Sequence, residues 1–204
     1  MPTTTEETQA ARPILGHVNL MVDTLIANAT LNDLQAFTRT TLASSPPSVA
    51  ETFTASARRH LARTTAAELP RIGTLFCQTA DGGVWEPTEE LFTTLARSRM
   101  LYGAGMGVVS LTLLAEVVRS AVGVRWEEDS RMEDILAIID ADITQAIQSA
   151  KEEIQSGRVS DIGAVKAVYS GLHDLLVEDK ADVERWGGDF PFERAMATVE
   201  LWKL

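Results

Sequence analysis

Catalysis or metal binding in a helical chain needs titratable side chains spaced so that they meet on one face. Three histidines, His17, His60 and His173, lie far apart in the sequence. Neither Glu-x-x-His nor His-x-x-x-His occurs, so no single helix offers two metal ligands one turn apart. His173 has the best company, with Tyr169 one turn before it and Asp174 beside it, a set able to relay a proton or orient a ligand. Its ordinary alternative is a hydrogen-bonded histidine at the edge of an apolar face. Asp140 and Asp142 point about 200° apart around a helix and make no carboxylate pair; Asp140 is expected on the solvated side with Glu133 and Thr144. G-x-S-x-G, P-loop and H-E-x-x-H motifs are absent from the sequence, which leaves no warrant for a particular reaction. Whether the chain is an enzyme stays open, and no metal and no cofactor is expected.

Cys77 is the only cysteine. It excludes an intramolecular disulfide and a cysteine-based zinc site, fits a reducing compartment, and is expected to be a small buried hydrophobe. The 29 acidic residues against 18 basic ones give a formal net charge of −11, which argues against nucleic acid or an anionic membrane surface as the main partner and accommodates a basic protein more easily. Two places join negative charge to a large aromatic anchor: Trp126 before Glu127-Glu128-Asp129, and Glu178-Asp179 ahead of Trp186. Interfaces favour tryptophan in such settings, although tryptophans near helix ends also serve to close a core.

The longest uncharged run, Met100 to Ala115, would extend roughly 24 Å as a helix, short of the ~30 Å hydrocarbon core of a bilayer. A buried central helix is the expectation. Tyr102, Met106, Val109, Leu113 and Val117 form its bulky stripe, and Gly103, Gly107 and Ser110 a small-residue stripe beside it. Glycines inside a helix cost on the order of 1 kcal/mol each relative to alanine, so a close approach by another body should offset the loss. That body is a neighbouring helix, a second subunit or a ligand; a loop splitting the run into two helices is the remaining alternative. G-A-G-M-G lacks both the preceding strand and the spacing of a dinucleotide fingerprint.

The elements that would position these residues are helical. Residues 1–13 are polar, without the apolar core of a signal peptide, and are expected to be a disordered tail. Apolar spacings of three and four then predict helices over 14–28, from Leu31 to about 43, and from Ser48 to about 63, a three-helix unit over 14–63. Between 64 and 86 the periodicity fades into an irregular connection that packs down or acts as a lid. Pro87 is expected at the first position of a helix continuing to Gly123, kinked at its glycines. A Ser130–Glu133 capping box opens the next helix, Ser160-Asp161 another that ends at Gly187-Gly188, and a short helix with Phe192, Met196, Val199 and Trp202 on one face closes the chain. No strand pattern is evident. The expectation is an all-α, single-domain bundle of about seven helices over 14–204, with a long central glycine-containing helix and 87–204 as its long-helix part.

The leading functional expectation is a non-catalytic protein-interaction or regulatory protein, intracellular (cytoplasmic or nuclear), with a homodimer as one assembly, no nucleic acid and no membrane. The alternative is a small apolar-ligand binder or a bundle enzyme with its pocket at the Gly103–Gly107 face. Contact residues under these readings are Tyr102, Gly103, Met106, Gly107, Ser110, Trp126, Tyr169 and His173.

Overall fold

The computed structural model describes residues 20–67, 74–80 and 82–202; the expected tail, His17 and the start of the first predicted helix lie outside them. Among the described residues the fold is all-α with one small hairpin. Its elements are α1 (Leu20–Asn28), α2 (Leu31–Ser44), α3 (Pro47–Ala67), β1 (Phe76–Gln78), β2 (Trp85–Pro87), α4 (Glu89–Gly103), α5 (Gly107–Ala121), α6 (Arg131–Gln155), α7 (Ile162–Trp186) and α8 (Glu193–Leu201). None of the described helices is long and apolar enough to cross a membrane. The chain divides into two compact units between Glu51 and Thr52, a boundary that cuts the expected three-helix unit inside its third helix.

The second unit, from Thr52 onward, holds the core. Its middle is α5, which packs on α4, α6 and α7, while α6 also carries α8. Leu111, Leu114, Val117 and Val118 of α5 are buried against Leu136, Ile139 and Ile143 of α6 and Leu172 and Leu176 of α7. The uncharged run therefore does supply the central helix, but only its second half. One continuous helix through the glycines is replaced by two, which makes eight described helices rather than seven. The break has a local cause. Gly105 adopts φ +77°, a left-handed conformation that costs glycine little, and the Met106 N–H turns back to the Leu101 carbonyl at 3.0 Å.

The hairpin corrects the expectation of no strands. β1 and β2 are antiparallel, with Phe76 opposite Pro87 and Gln78 opposite Trp85. Leu75 and Phe76 are buried, whereas Cys77 is exposed, not the buried hydrophobe expected. Strand pairing, which turns Phe76 inward and its neighbour outward, overrides cysteine's preference for the interior. Pro87 ends β2 and does not open the helix. Thr88 caps α4 instead: it accepts from the Leu91 N–H and donates its hydroxyl to the Thr74 carbonyl at 2.8 Å, so one side chain fastens hairpin to helix. The expected 64–86 connection therefore begins later, since α3 runs to Ala67, and ends later, since α4 starts at Glu89; residues 68–73 and 81 of it lie outside the described residues.

Other caps follow the sequence closely. Thr30 and Asp33 form a reciprocal capping box on α2, Ser130 accepts from the Glu133 N–H on α6, and Asp161 accepts from Ala164 on α7. α7 ends at Gly187 with φ +81°. Each satisfies backbone groups that a helix end leaves unpaired.

The first unit contrasts sharply with the second. No side chain from Val22 to Glu51 is buried, although the sequence there carries apolar residues at helical spacing. Leu31 is 70% exposed, Leu25 and Ile26 are each 52% exposed, and Phe37 is 45% exposed. The sequence places these side chains on inward faces of a compact unit; within the first unit they do not cover one another. Burial begins at Leu61, which joins Leu101, Ala104 and Leu113 in a small cluster of its own.

Candidate functional site

The small-residue stripe separates into three different environments. Gly107 is where the backbones meet: a Cβ there would fall 2.1 Å from the Ala150 nitrogen and 2.6 Å from the Ser149 carbonyl carbon. Helix α6 itself fills that groove, as the packing reading expects. Ser110 is buried one turn on, its hydroxyl 2.7 Å from the Ser98 hydroxyl and 3.0 Å from the Ser98 carbonyl, which links α5 to α4. Gly103 is exposed with open space around it. The bulky neighbours also serve packing, since Met106 lies against the Leu61–Leu101–Leu113 cluster.

Tyr102 belongs to a polar cross-link between α4 and α6. Its hydroxyl donates to Asp142 Oδ1 at 3.0 Å, while Arg99 donates through Nε at 3.0 Å and Nη2 at 2.7 Å to the same carboxylate. The Asp142 hydrogen bond raises the Arg99 pKa above its ordinary value, and burial, followed by the negative neighbour, raises that of Tyr102. Bidentate guanidinium–carboxylate geometry is the strong form of this interaction. Ser149 donates to the Tyr102 carbonyl at 2.8 Å, so the Tyr102 hydroxyl and carbonyl and the Asp142 carboxylate are engaged within the fold.

Beside it lies a polar recess of about 440 Å³, lined in part by Arg58, Gly105, Gln145, Gln148 and Arg158. Arg58 donates to the Ala104 carbonyl at 3.1 Å and Arg158 approaches the Gly105 carbonyl at 3.5 Å. Both guanidiniums thus sit on the negative end of α4, where cations are favoured. At the other side of the turn, the Glu153 carboxylate accepts from the Val108 N–H at 3.1 Å and occupies the start of α5. The recess is a capped helix–helix junction. Hairpin residues do not reach it; they line a different hollow of about 190 Å³ with Arg125, Trp126 and Arg131.

Trp126 and Trp186 meet edge to face with ring centroids 5.0 Å apart, and the Arg125 guanidinium stands 5.5 Å over the Trp186 ring. The two tryptophans that sequence reasoning picked separately are therefore one pair, closing the end of the bundle. Arg125 also binds Asp182 at 2.6 Å, and Asp182 further accepts from the Gly123 N–H at 3.0 Å and from Arg185 at 3.0 Å. The Arg125 hydrogen bond, first among these, holds the Asp182 carboxyl below its ordinary pKa. One turn earlier on α7, Asp179 is 1% exposed and its Oδ2 has no hydrogen-bond partner. Burial and then the nearby Asp182 charge push its pKa up to about 7.

Asp140 is not on the solvated side. It is 5% exposed and accepts from the Ala195 N–H at 2.8 Å, standing in for the side-chain cap that α8 lacks at Phe192. Burial raises its pKa and the Ala195 N–H opposes that rise. Asp140 and Asp142 do point to different partners, as their angular separation requires.

Tyr169 does not serve His173. Its hydroxyl donates to the Val199 carbonyl and lies 2.9 Å from the Trp202 carbonyl, with the two rings edge to face; this ties the last helix down. His173 is 39% exposed in its side chain and its Nδ1 lies 3.5 Å from Asp174. Among the described residues no group of three or more histidine, cysteine or acidic side chains gathers to hold a metal ion.

The surface that the fold leaves unexplained is the apolar face of α1, α2 and the start of α3. Val22, Leu25, Ile26, Leu31, Phe37 and Val49 are all exposed there. Sequence reasoning assigned these residues to a core because periodicity shows that a face is apolar without showing what covers it. One signal was available: only Asp23, Asp33, Arg39 and Glu51 are charged between residues 20 and 51, a thin charged complement for helices with one solvated side. Comparison of the chain with protein-family models, curated proteins and solved structures returns no match.

Proposed function

We propose that the chain is a non-catalytic interaction protein, with a helical platform from Thr52 onward and, as its recognition element, α1, α2 and the start of α3. The observation behind this is the complete lack of burial from Val22 to Glu51 in helices that carry apolar residues at helical spacing. Helices of nine and fourteen residues, the lengths of α1 and α2, are marginal in water and draw their stability from packing. Large apolar side chains left exposed on neighbouring helices are a mark of interaction sites, and an amphipathic helix laid against a groove or another helix is a common recognition mode. For the alternative of an apolar ligand at Gly103–Gly107, α6 fills the face at Gly107, and the recess beside Gly103 is lined by polar side chains, Arg58, Gln145, Gln148 and Arg158 among them, which favours the interaction reading.

The test uses the full chain with Leu31→Glu and Phe37→Glu together. Both side chains are exposed, so the variant should keep the thermal unfolding of the platform and lose assembly with whatever partner the wild-type protein retains in native extract. Loss of the platform's own folding in the variant, or assembly undiminished by the two charges, would overturn the proposal.

A further inference from the structure

We infer that the polar recess beside the α4–α5 turn binds a phosphorylated polyol, with the phosphate between Arg58 and Arg158 and the hydroxyls on α6. Every residue concerned belongs to the second unit, and nothing in the site depends on what covers α1 and α2. Two guanidiniums from distant parts of the chain converge on one turn. The position a Cβ would take at Gly105 lies 3.2 Å from Arg158 Nη2 and 3.5 Å from Arg58 Nη1, so the two cations stand no more than about 7 Å apart, an arrangement that is repulsive by itself. Neither forms an ion pair among the described residues, in a chain with 29 acidic side chains. Each spends one N–H on a carbonyl of the turn, Arg58 on Ala104 and Arg158 on Gly105, whereas a guanidinium has five to give. Capping the end of α4 therefore leaves most of their donors unused. A doubly charged phosphate seated between them takes up those donors in charge-assisted bonds and removes the repulsion.

The rest of the recess selects what the phosphate is attached to. At about 440 Å³ it holds more than a phosphate group. Gln145, Gln148 and Glu152 line it from α6, and their spacing of three and four residues puts them on one helix face. The Gln148 amide donates to Glu152 Oε1 at 3.0 Å, which leaves the Gln148 carbonyl and the whole Gln145 amide for a ligand. A carboxylate beside an anion is unfavourable unless the same ligand also carries donors for it, and hydroxyl groups are such donors. Inorganic phosphate uses mainly the cationic part of the recess and an unphosphorylated sugar only the acceptor part; a polyol phosphate uses both. An apolar body would leave these polar groups unpaired.

Titration of the isotope-labelled full chain at low ionic strength, followed by nuclear magnetic resonance with glucose 6-phosphate, glucose and inorganic phosphate as separate titrants, tests this. Glucose 6-phosphate should bind with a Kd on the order of 0.1–1 mM, the modest affinity of an open polar recess, and shift the side-chain amides of Gln145 and Gln148. Inorganic phosphate should bind roughly tenfold more weakly and glucose not measurably. Arg58→Gln and Arg158→Gln, which keep a donor for the turn carbonyls, should each weaken glucose 6-phosphate by roughly tenfold or more, with thermal unfolding confirming that the variants fold. Glu152→Gln should narrow the gap between glucose 6-phosphate and inorganic phosphate. The wild-type shifts locate the ligand without any substitution. No shift with glucose 6-phosphate up to about 20 mM, shifts that leave the Gln145 and Gln148 amides unmoved, or binding undiminished in both arginine variants overturns the inference. Inorganic phosphate binding as tightly as glucose 6-phosphate also overturns it, leaving an adventitious ion only.

Discussion

Replacing Asp179 by Asn should make the stability of this protein less sensitive to pH. Asp179 is 1% exposed, and its carboxyl is raised from 3.8 to about 7, first by burial and then by Asp182, with Glu178 adding to the rise and Arg125 opposing it. An acid whose folded pKa lies above its unfolded value binds its proton more tightly in the fold. Its neutral form is accommodated below pH 4, stability falls as pH rises between about 4 and 7, and above that window the folded state carries a buried charge. A rise of this size corresponds to about 4 kcal/mol across the window. The amide of Asn is neutral throughout but brings donors that also need partners, a fixed cost of about 1–3 kcal/mol. The offset is the same at every pH, so the quantity to follow is the difference between variant and wild type. Denaturant unfolding monitored by far-ultraviolet circular dichroism at pH 5 and pH 8 should show that difference moving toward the variant by about 2–3 kcal/mol, most of the window lying above pH 5. Asp182, held below its ordinary value by Arg125, stays ionised throughout and contributes no slope. Parallel pH profiles for the two proteins would refute the assignment of a buried, proton-sensitive carboxyl to Asp179.

Gly107→Ala places a methyl 2.1 Å from the Ala150 nitrogen and should cost about 3 kcal/mol or more by forcing α5 from α6, whereas Gly103→Ala, with open space around it, should gain about 0.5–1 kcal/mol; paired thermal melts check both. Arg99→Ala leaves Asp142 buried with Tyr102 as its remaining side-chain donor, and denaturant titration should show a loss of about 2–3 kcal/mol. Asp140→Ala strips the buried Ala195 N–H of its acceptor, an expected loss of about 1–3 kcal/mol, with faster amide exchange confined to α8.

Much of the second unit was legible because its signals are local. Ser130 and Asp161 announce helix starts by side chains that reach their own third residue, and Gly187 announces an end through its left-handed backbone; both need only a few neighbouring residues. The α4–α5 break was harder. Gly103, Gly105 and Gly107 look alike in sequence, yet one lies exposed, one supplies the positive φ and one admits a neighbouring backbone, distinctions set by what α6 places nearby. The hairpin escaped because three-residue strands are too short for alternation to register, and Pro87 resembles a helix opener until its pairing with Phe76 is known. Asp140 and Asp179 are buried for tertiary reasons, one to cap a helix distant in sequence, and periodicity assigned Asp140 to the wrong side. As for Leu25, Leu31 and Phe37, the apolar pattern was read correctly and its burial was not, because no property of a stripe says whether its cover belongs to the same molecule.

Amide hydrogen exchange of the dilute full chain, resolved by segment, tests that last point most directly. If the apolar faces of α1 and α2 have no cover of their own, amides from Val22 to Ser44 should exchange close to the rate of an unstructured chain while those of α5 and α6 remain protected, with protection appearing in the first segment only on assembly. Protection of Val22–Ser44 equal to that of α5 in a demonstrated monomer would contradict the account.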